Sequence, residues 1–151
     1  MNALLRPFML LERIAPRSAP LALLALRFAL AVPFFRSGLT RWEGGHLSQS
    51  TLYLFTQEFR LHLFGAAAPY PAPVLFAHAA GIAELALPVL LVLGLGTRAA
   101  ALALLVMTGI IQLTIPDGWA NFHLPWAAMA LALIAFGAGP VSVDRLFASR
   151  D

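Results

Sequence analysis

The chain has 151 residues, of which 60% are hydrophobic and only 11% charged, and its mean hydropathy is +0.82. A soluble domain of this size has too little interior to hide so much apolar surface, so the composition excludes the soluble globular and disordered classes and leaves a one-domain integral membrane protein. The net charge of +3 rests on arginine alone, and no basic stripe tracks a nucleic-acid backbone, so no nucleic-acid partner is expected.

Residues 1–20 do not read as a signal peptide, because Arg6 and Pro7 split the apolar run. Leu4, Phe8, Leu11 and Ile14 recur near helical spacing among Arg6, Arg13 and Arg17, which predicts a helix on the membrane surface. The first span is expected over 21–39 and carries Arg27, Pro33 and Arg36, with Trp42 beyond it suited to the interface. Residues 43–72 form the longest break between spans. Ser48 or Ser50 can cap a helix there, and Leu52, Phe55, Phe59 and Leu63 predict an interfacial helix over 50–64. Glu58, Arg60 and His62 make it too polar to span.

The second span, 73–95, follows the stiff "PYPAP" and ends at Gly94 and Gly96. Thr97 is the expected N-cap of the third span, 98–115. "PDGW" reads as a turn, and Asn121 as the cap of a fourth span, 122–138, that ends at "GAGP". Ser142 is placed to cap a short terminal helix. The fold class is therefore an all-α membrane protein, a four-transmembrane-helix bundle with an interfacial helix in its first outer loop, in one domain over 1–151. Arg6, Arg13, Arg17, Arg98, Arg145 and Arg150 gather at one set of span ends, which predicts cytoplasmic termini.

Glu84 lies near the middle of the second span, where a charge is expensive and needs a partner, and Pro88 one turn later removes a backbone donor. Measured from the span centres, Arg27 lies about 4 Å from the level of Glu84 and Arg36 about 10 Å away, so Arg27 is the expected partner. Such a pair either fixes helix register alone or contributes to a site. Toward the outer side, Thr108 and Gln112 share a face of the third span, and His123 and Trp126 a face of the fourth, with His78 before Glu84. With Glu84 they predict a cavity for a quinone, histidine or glutamine meeting its carbonyls and aromatic rings its faces. The plainer alternative makes His123 and Trp126 interfacial belt residues and His78 a helix-end residue.

Haem ligation by His78 and His123 is the weaker possibility, and with no close histidine spacing and no cysteine the sequence offers no dedicated metal site. Absence of cysteine also excludes disulfides, a thiol nucleophile and a dithiol pair, so electrons handled here would come from a bound cofactor or a partner. There is no phosphate-binding glycine loop and no Ser/His/Asp arrangement.

From Leu24 to Leu146 the chain resembles the DoxX family of small bacterial membrane proteins. "LRFALAVPFFRSGLTRW", "AELALPVLLVLGLGTRAAAL", "MTGIIQL", "WANFHLPWA" and "GAGPVSVD" carry the resemblance. The matching positions are Arg27, Ser37, Gly38, Arg41, Glu84, Pro88, Gly94, Arg98, His123, Gly139 and Asp144. Arg41 stands where the family usually has lysine, and "RLHLFGAAAPYPAP" departs from the usual outer segment. The resemblance implies a four-helix protein of the bacterial inner membrane, associated with thiosulfate:quinone oxidoreductase or oxidative-stress complexes. Two functions follow as expectations. One is a quinone-linked accessory subunit of a membrane redox system. The other is a non-catalytic scaffold or assembly factor for soluble or membrane partners in oxidative stress or metal handling. The lipid bilayer is the expected surrounding, a homo-oligomer is a further expectation, and the sequence leaves open whether the chain is catalytic.

Overall fold

The computed structural model describes residues 6–148, with side chains from Ser18 to Phe147. The backbone forms one continuous helix, α1, over Arg6–Thr40. The apolar stripe expected for a surface helix at its start lies outside the described side chains. Among the described residues, four segments are long and apolar enough to cross a membrane: Ser18–Thr40 within α1, Pro73–Leu93 (α3), Thr97–Thr114 (α4) and Pro116–Phe136, whose regular part is α5, Leu124–Phe136. This is an all-α four-helix membrane protein.

The helices pack in the cyclic order α1, α3, α4, α5, each against its two neighbours. Lipid chains are as apolar as leucine, so close packing rather than exclusion of water holds such helices together. The central contact accordingly mixes small and large side chains: Ala31, Ala100, Ala101 and Ala130 lie among Leu30, Phe34, Leu91, Leu104 and Leu133. The closest approach is between α1 and α3. A β-carbon on Gly38 would stand 2.9 Å from the carbonyl carbon of Glu84, so only glycine admits this contact. It falls where Pro88 offers no N–H to the Glu84 carbonyl.

Glycines also end the helices. Gly94 takes a left-handed conformation (φ 68°) after α3, and Gly96 (φ 58°) precedes α4. Thr97, expected to cap α4, caps nothing: it is the first helical residue. The cap is Asp144, whose carboxylate accepts from the backbone N–H of Gly96 at 2.7 Å and of Thr97 at 3.0 Å. Asn121 is likewise no cap, because a 3-10 turn (Pro116–Gly118) and a π turn (Trp119–His123) lead directly into α5. Ser142 does accept from the N–H of Arg145 at 3.4 Å, at the start of α6, Val143–Ala148.

The loop between α1 and α3 is more structured than expected. Trp42–Glu43 (β1) and His46–Leu47 (β2) form a short hairpin around Gly44 and Gly45, both at positive φ. Ser48 caps α2, Gln49–Tyr53, which continues as a π turn to Glu58. The helix expected over 50–64 stops there, and Arg60–Leu63 (β3) pairs with Ala66–Pro69 (β4). The cause is visible in the spacing. Phe59, Leu61 and Leu63 alternate with Arg60 and His62, a strand period, and Phe64–Gly65 makes a tight turn with both residues at positive φ.

Candidate functional site

Glu84 is buried, 2% exposed, and both its oxygens are taken by Arg41: Nε donates to Oε2 at 2.5 Å and Nη2 to Oε1 at 2.6 Å. A two-pronged guanidinium–carboxylate contact is the strongest arrangement available to a carboxylate at this depth. The Arg41 guanidinium also lies 5.3 Å from the centre of the Phe55 ring, so the loop segment covers the ion pair.

This corrects the expected pairing of Glu84 with Arg27. Equating span centres placed residue 30 of α1 level with Glu84, but the close contact sets Gly38 there instead. At ~1.5 Å per residue α1 is displaced by about 12 Å along α3. Arg27 therefore reaches the other end of α3, where a β-carbon on Gly94 would meet its Nη1. Buried at 1% exposure, it donates from Nη2 to the carbonyl of Val141 at 2.8 Å. Its charge couples to Asp144. Burial works to raise the Asp144 pKa, but the Thr97 and Gly96 amides and the Arg27 charge outweigh it, and the net position is below the ordinary carboxylate value. Arg36 is exposed.

Beside the Arg41–Glu84 pair lies a cavity of about 1010 Å³ between α1, α3, α4 and the start of α5, roofed by α2 and the π turn after it. Arg41, Glu84, Tyr70, Thr114 and His123 are among its polar lining, and Phe34, Phe55 and Trp126 among its aromatic lining. Thr114 donates its one hydroxyl hydrogen to the carbonyl of Ile110 at 2.8 Å, so the Tyr70 hydroxyl, 2.6 Å away, is the donor to Thr114. Phe34 and Trp126 meet at 5.0 Å between ring centres, and His123 and Trp126 at 5.6 Å.

His123 is 3% exposed and its tautomer can be read from its neighbours. Gln112 Nε2 donates to the carbonyl of Pro116 at 3.1 Å, which turns Gln112 Oε1 toward His123 Nδ1 at 2.6 Å. An amide oxygen only accepts, so Nδ1 carries the hydrogen and Nε2 is the acceptor in the neutral ring. The ring rests on Gly118, where a β-carbon would stand 2.5 Å from it. That glycine is what gives the ring room in the cavity wall.

Of the residues singled out in the sequence, Glu84, His123 and Trp126 come together around the cavity, and Gln112 stands behind His123 as its orienting partner. Thr108 is buried but spends its hydroxyl on the Leu104 carbonyl of its own helix at 2.7 Å, and it is not part of the lining. His78 is exposed, bonded to the carbonyl of Val74 at 2.8 Å and edge-on to Trp42, away from the cavity. The two histidines considered for haem thus do not face one another across this cavity. Tyr70, Thr114 and Phe55 carried no local signal, since Tyr70 and Thr114 meet across 44 residues. Arg41 was marked only by the resemblance.

Comparison with known proteins agrees with this architecture. A protein of Haemophilus influenzae (strain Rd), described as uncharacterized, is 33% identical over 133 residues, covering 83% of this chain and 82% of the relative. No solved structure gives a significant match. The DoxX family model matches residues 22–117, the stretch that holds Gly38, Arg41, the Glu84 helix and the loop segment over the cavity. The four-helix membrane bundle and that match together make the chain a member of the DoxX family.

Proposed function

We propose that the protein is a quinone-binding accessory subunit of a membrane redox system, holding the quinone ring in the cavity beside Arg41, Glu84 and His123. The observation that carries this reading is the cavity's division of labour: Arg41, Glu84, Tyr70 and His123, each held by a hydrogen-bond partner, stand in a lining that also holds Phe34, Phe55 and Trp126. That fits a flat ring that needs hydrogen bonds at its edges and apolar contact on its faces. His123 Nε2 accepts a hydrogen bond when the imidazole is neutral and donates one when it is protonated, so one side chain serves both a hydroxyl and a carbonyl. Tyr70 offers its oxygen lone pairs, having given its hydrogen to Thr114. Gln112 orients the histidine and Gly118 gives it room. A quinone supplies two-electron carrier chemistry when bound. With no cysteine in the chain, a partner protein is the electron source that this reading requires. The setting proposed is the bacterial inner membrane, with the arginine-rich ends of the helices and both termini in the cytoplasm.

Titrating a benzoquinone into the purified protein in lipid nanodiscs, with quenching of tryptophan fluorescence as the readout, tests the assignment. His123→Leu should weaken binding about tenfold, the ~1.4 kcal/mol of one hydrogen bond in a dry site, with the melting temperature little changed. Unaltered affinity in that variant, or no saturable binding to the natural protein, refutes it.

A further inference from the structure

The cavity is not closed toward the bilayer. It follows α3 from Phe76 to Leu87 and α4 from Ala103 to Thr114, about 16 Å along each helix. Its lining includes Ala79 and Val106, which are also exposed on the outside of the bundle, Val106 at 57%. Along this seam α3 presents Ala79, Ala80 and Ala83, and α4 presents Ala103, side chains too short to fill the space between the two helices. The polar groups lie at the Glu84 level and above, whereas Leu87, Ala103, Val106 and Met107 make the lower part apolar.

From this layout we propose that the seam between α3 and α4 is a lateral portal, through which the isoprenoid chain of the bound quinone passes from the cavity into the bilayer. The inference rests on the quinone reading and adds to it the ligand's route and the form of ligand selected: a ring with a long hydrocarbon chain, taken from the membrane. The seam is continuous with the lipid-facing surface, so a chain lying in it exchanges one apolar contact for another without crossing water. A phospholipid is the poorer occupant. Its phosphate needs an unmatched positive charge, and the cavity's arginine is already neutralised through two contacts with Glu84.

The test compares two ligands on the full chain in phosphatidylcholine nanodiscs: a bare dimethoxy-methylbenzoquinone, and the same ring carrying a decyl chain. Ala83→Leu combined with Ala103→Leu fills the seam. Val106→Trp adds bulk at its exposed mouth, where packing of the bundle is not at risk. Each variant should lose roughly tenfold or more in affinity for the decyl form, the contact of about two methylene groups, and keep affinity for the bare ring within about twofold. Equal losses for both ligands, or no loss for either, overturn the portal while leaving the cavity as the ring site. Failure of both ligands to bind the natural protein overturns the quinone reading and the portal with it. A tightly held phospholipid, seen by native mass spectrometry and lost only from the seam variants, also overturns the proposed occupant.

Discussion

Arg41 follows the last residue of α1, yet its guanidinium grips both oxygens of Glu84 in the middle of α3. The contact is possible because α1 ends level with Glu84 and the loop segment, not the helix, fills the space beyond. The ion pair thus stands in the wall of the cavity and is the joint between α1 and α3.

Breaking that joint from one side strands a charge in the bundle. Arg41→Met and Glu84→Gln should each cost about 3–5 kcal/mol, and the double variant much less than their sum. Combining Glu84→Gln with Arg27→Met should give additive losses, since Arg27 works at the other end of α3. Unfolding in mixed micelles measures all five variants, and additivity for the Arg41 pair would contradict the geometry.

Asp144 predicts an acid-sensitive contact. Its pKa is lower in the folded protein than its ordinary value, so its contribution is fully present above about pH 4 and is lost as pH falls through the lower folded value. Asp144→Asn should lower stability at neutral pH and flatten the fall below about pH 4, because the α4 amides lose their carboxylate cap whatever the pH. Melting temperatures of both forms between about pH 2 and pH 7 check this, and parallel curves would count against it.

Gly38 and Gly96 should respond to alanine for different reasons. At Gly38 the new methyl meets backbone and must push α1 from α3, at a cost of about 1–3 kcal/mol and a disturbed ion pair. At Gly96 there is open space, so the cost is only the left-handed backbone conformation, about 1–2 kcal/mol, with quinone binding unchanged. Affinity for the ring separates the two, and should fall only in Gly38→Ala.

Phe64 sits at the tip of the β3–β4 hairpin with φ 50° and 108% relative exposure, an unfavourable conformation for a large side chain that packs against nothing described. Phe64→Asn, which tolerates that conformation, should leave the melting temperature unchanged or raise it by a degree or two, about 0.5–1 kcal/mol. A clear drop would mean that the ring has a contact outside the isolated chain.

Four apolar runs separated by glycine, proline and polar turns are enough to identify a four-helix membrane protein. Hydropathy and turn chemistry are local properties, and in a bilayer the backbone must satisfy its own hydrogen bonds within each segment. Glu84 was equally legible as a charge that needs a partner. Which arginine supplies the partner was not legible, because the answer depends on how far one helix slides along another. That offset is set by Gly38 against the Glu84 backbone and by Gly94 against Arg27, contacts between residues far apart in the chain. The cap of α4 has the same character, with Asp144 lying 47 residues beyond the amide of Thr97. The helix expected over 50–64 gives way to a strand at residues 60–63 for the opposite reason: the local pattern is present but matches both periods, and only the turn at Phe64–Gly65 with its pairing to 66–69 decides between them. The tertiary structure likewise decided that His123 and Trp126 face a cavity while Thr108 turns back on its own helix, since a shared helix face says nothing about what stands opposite it.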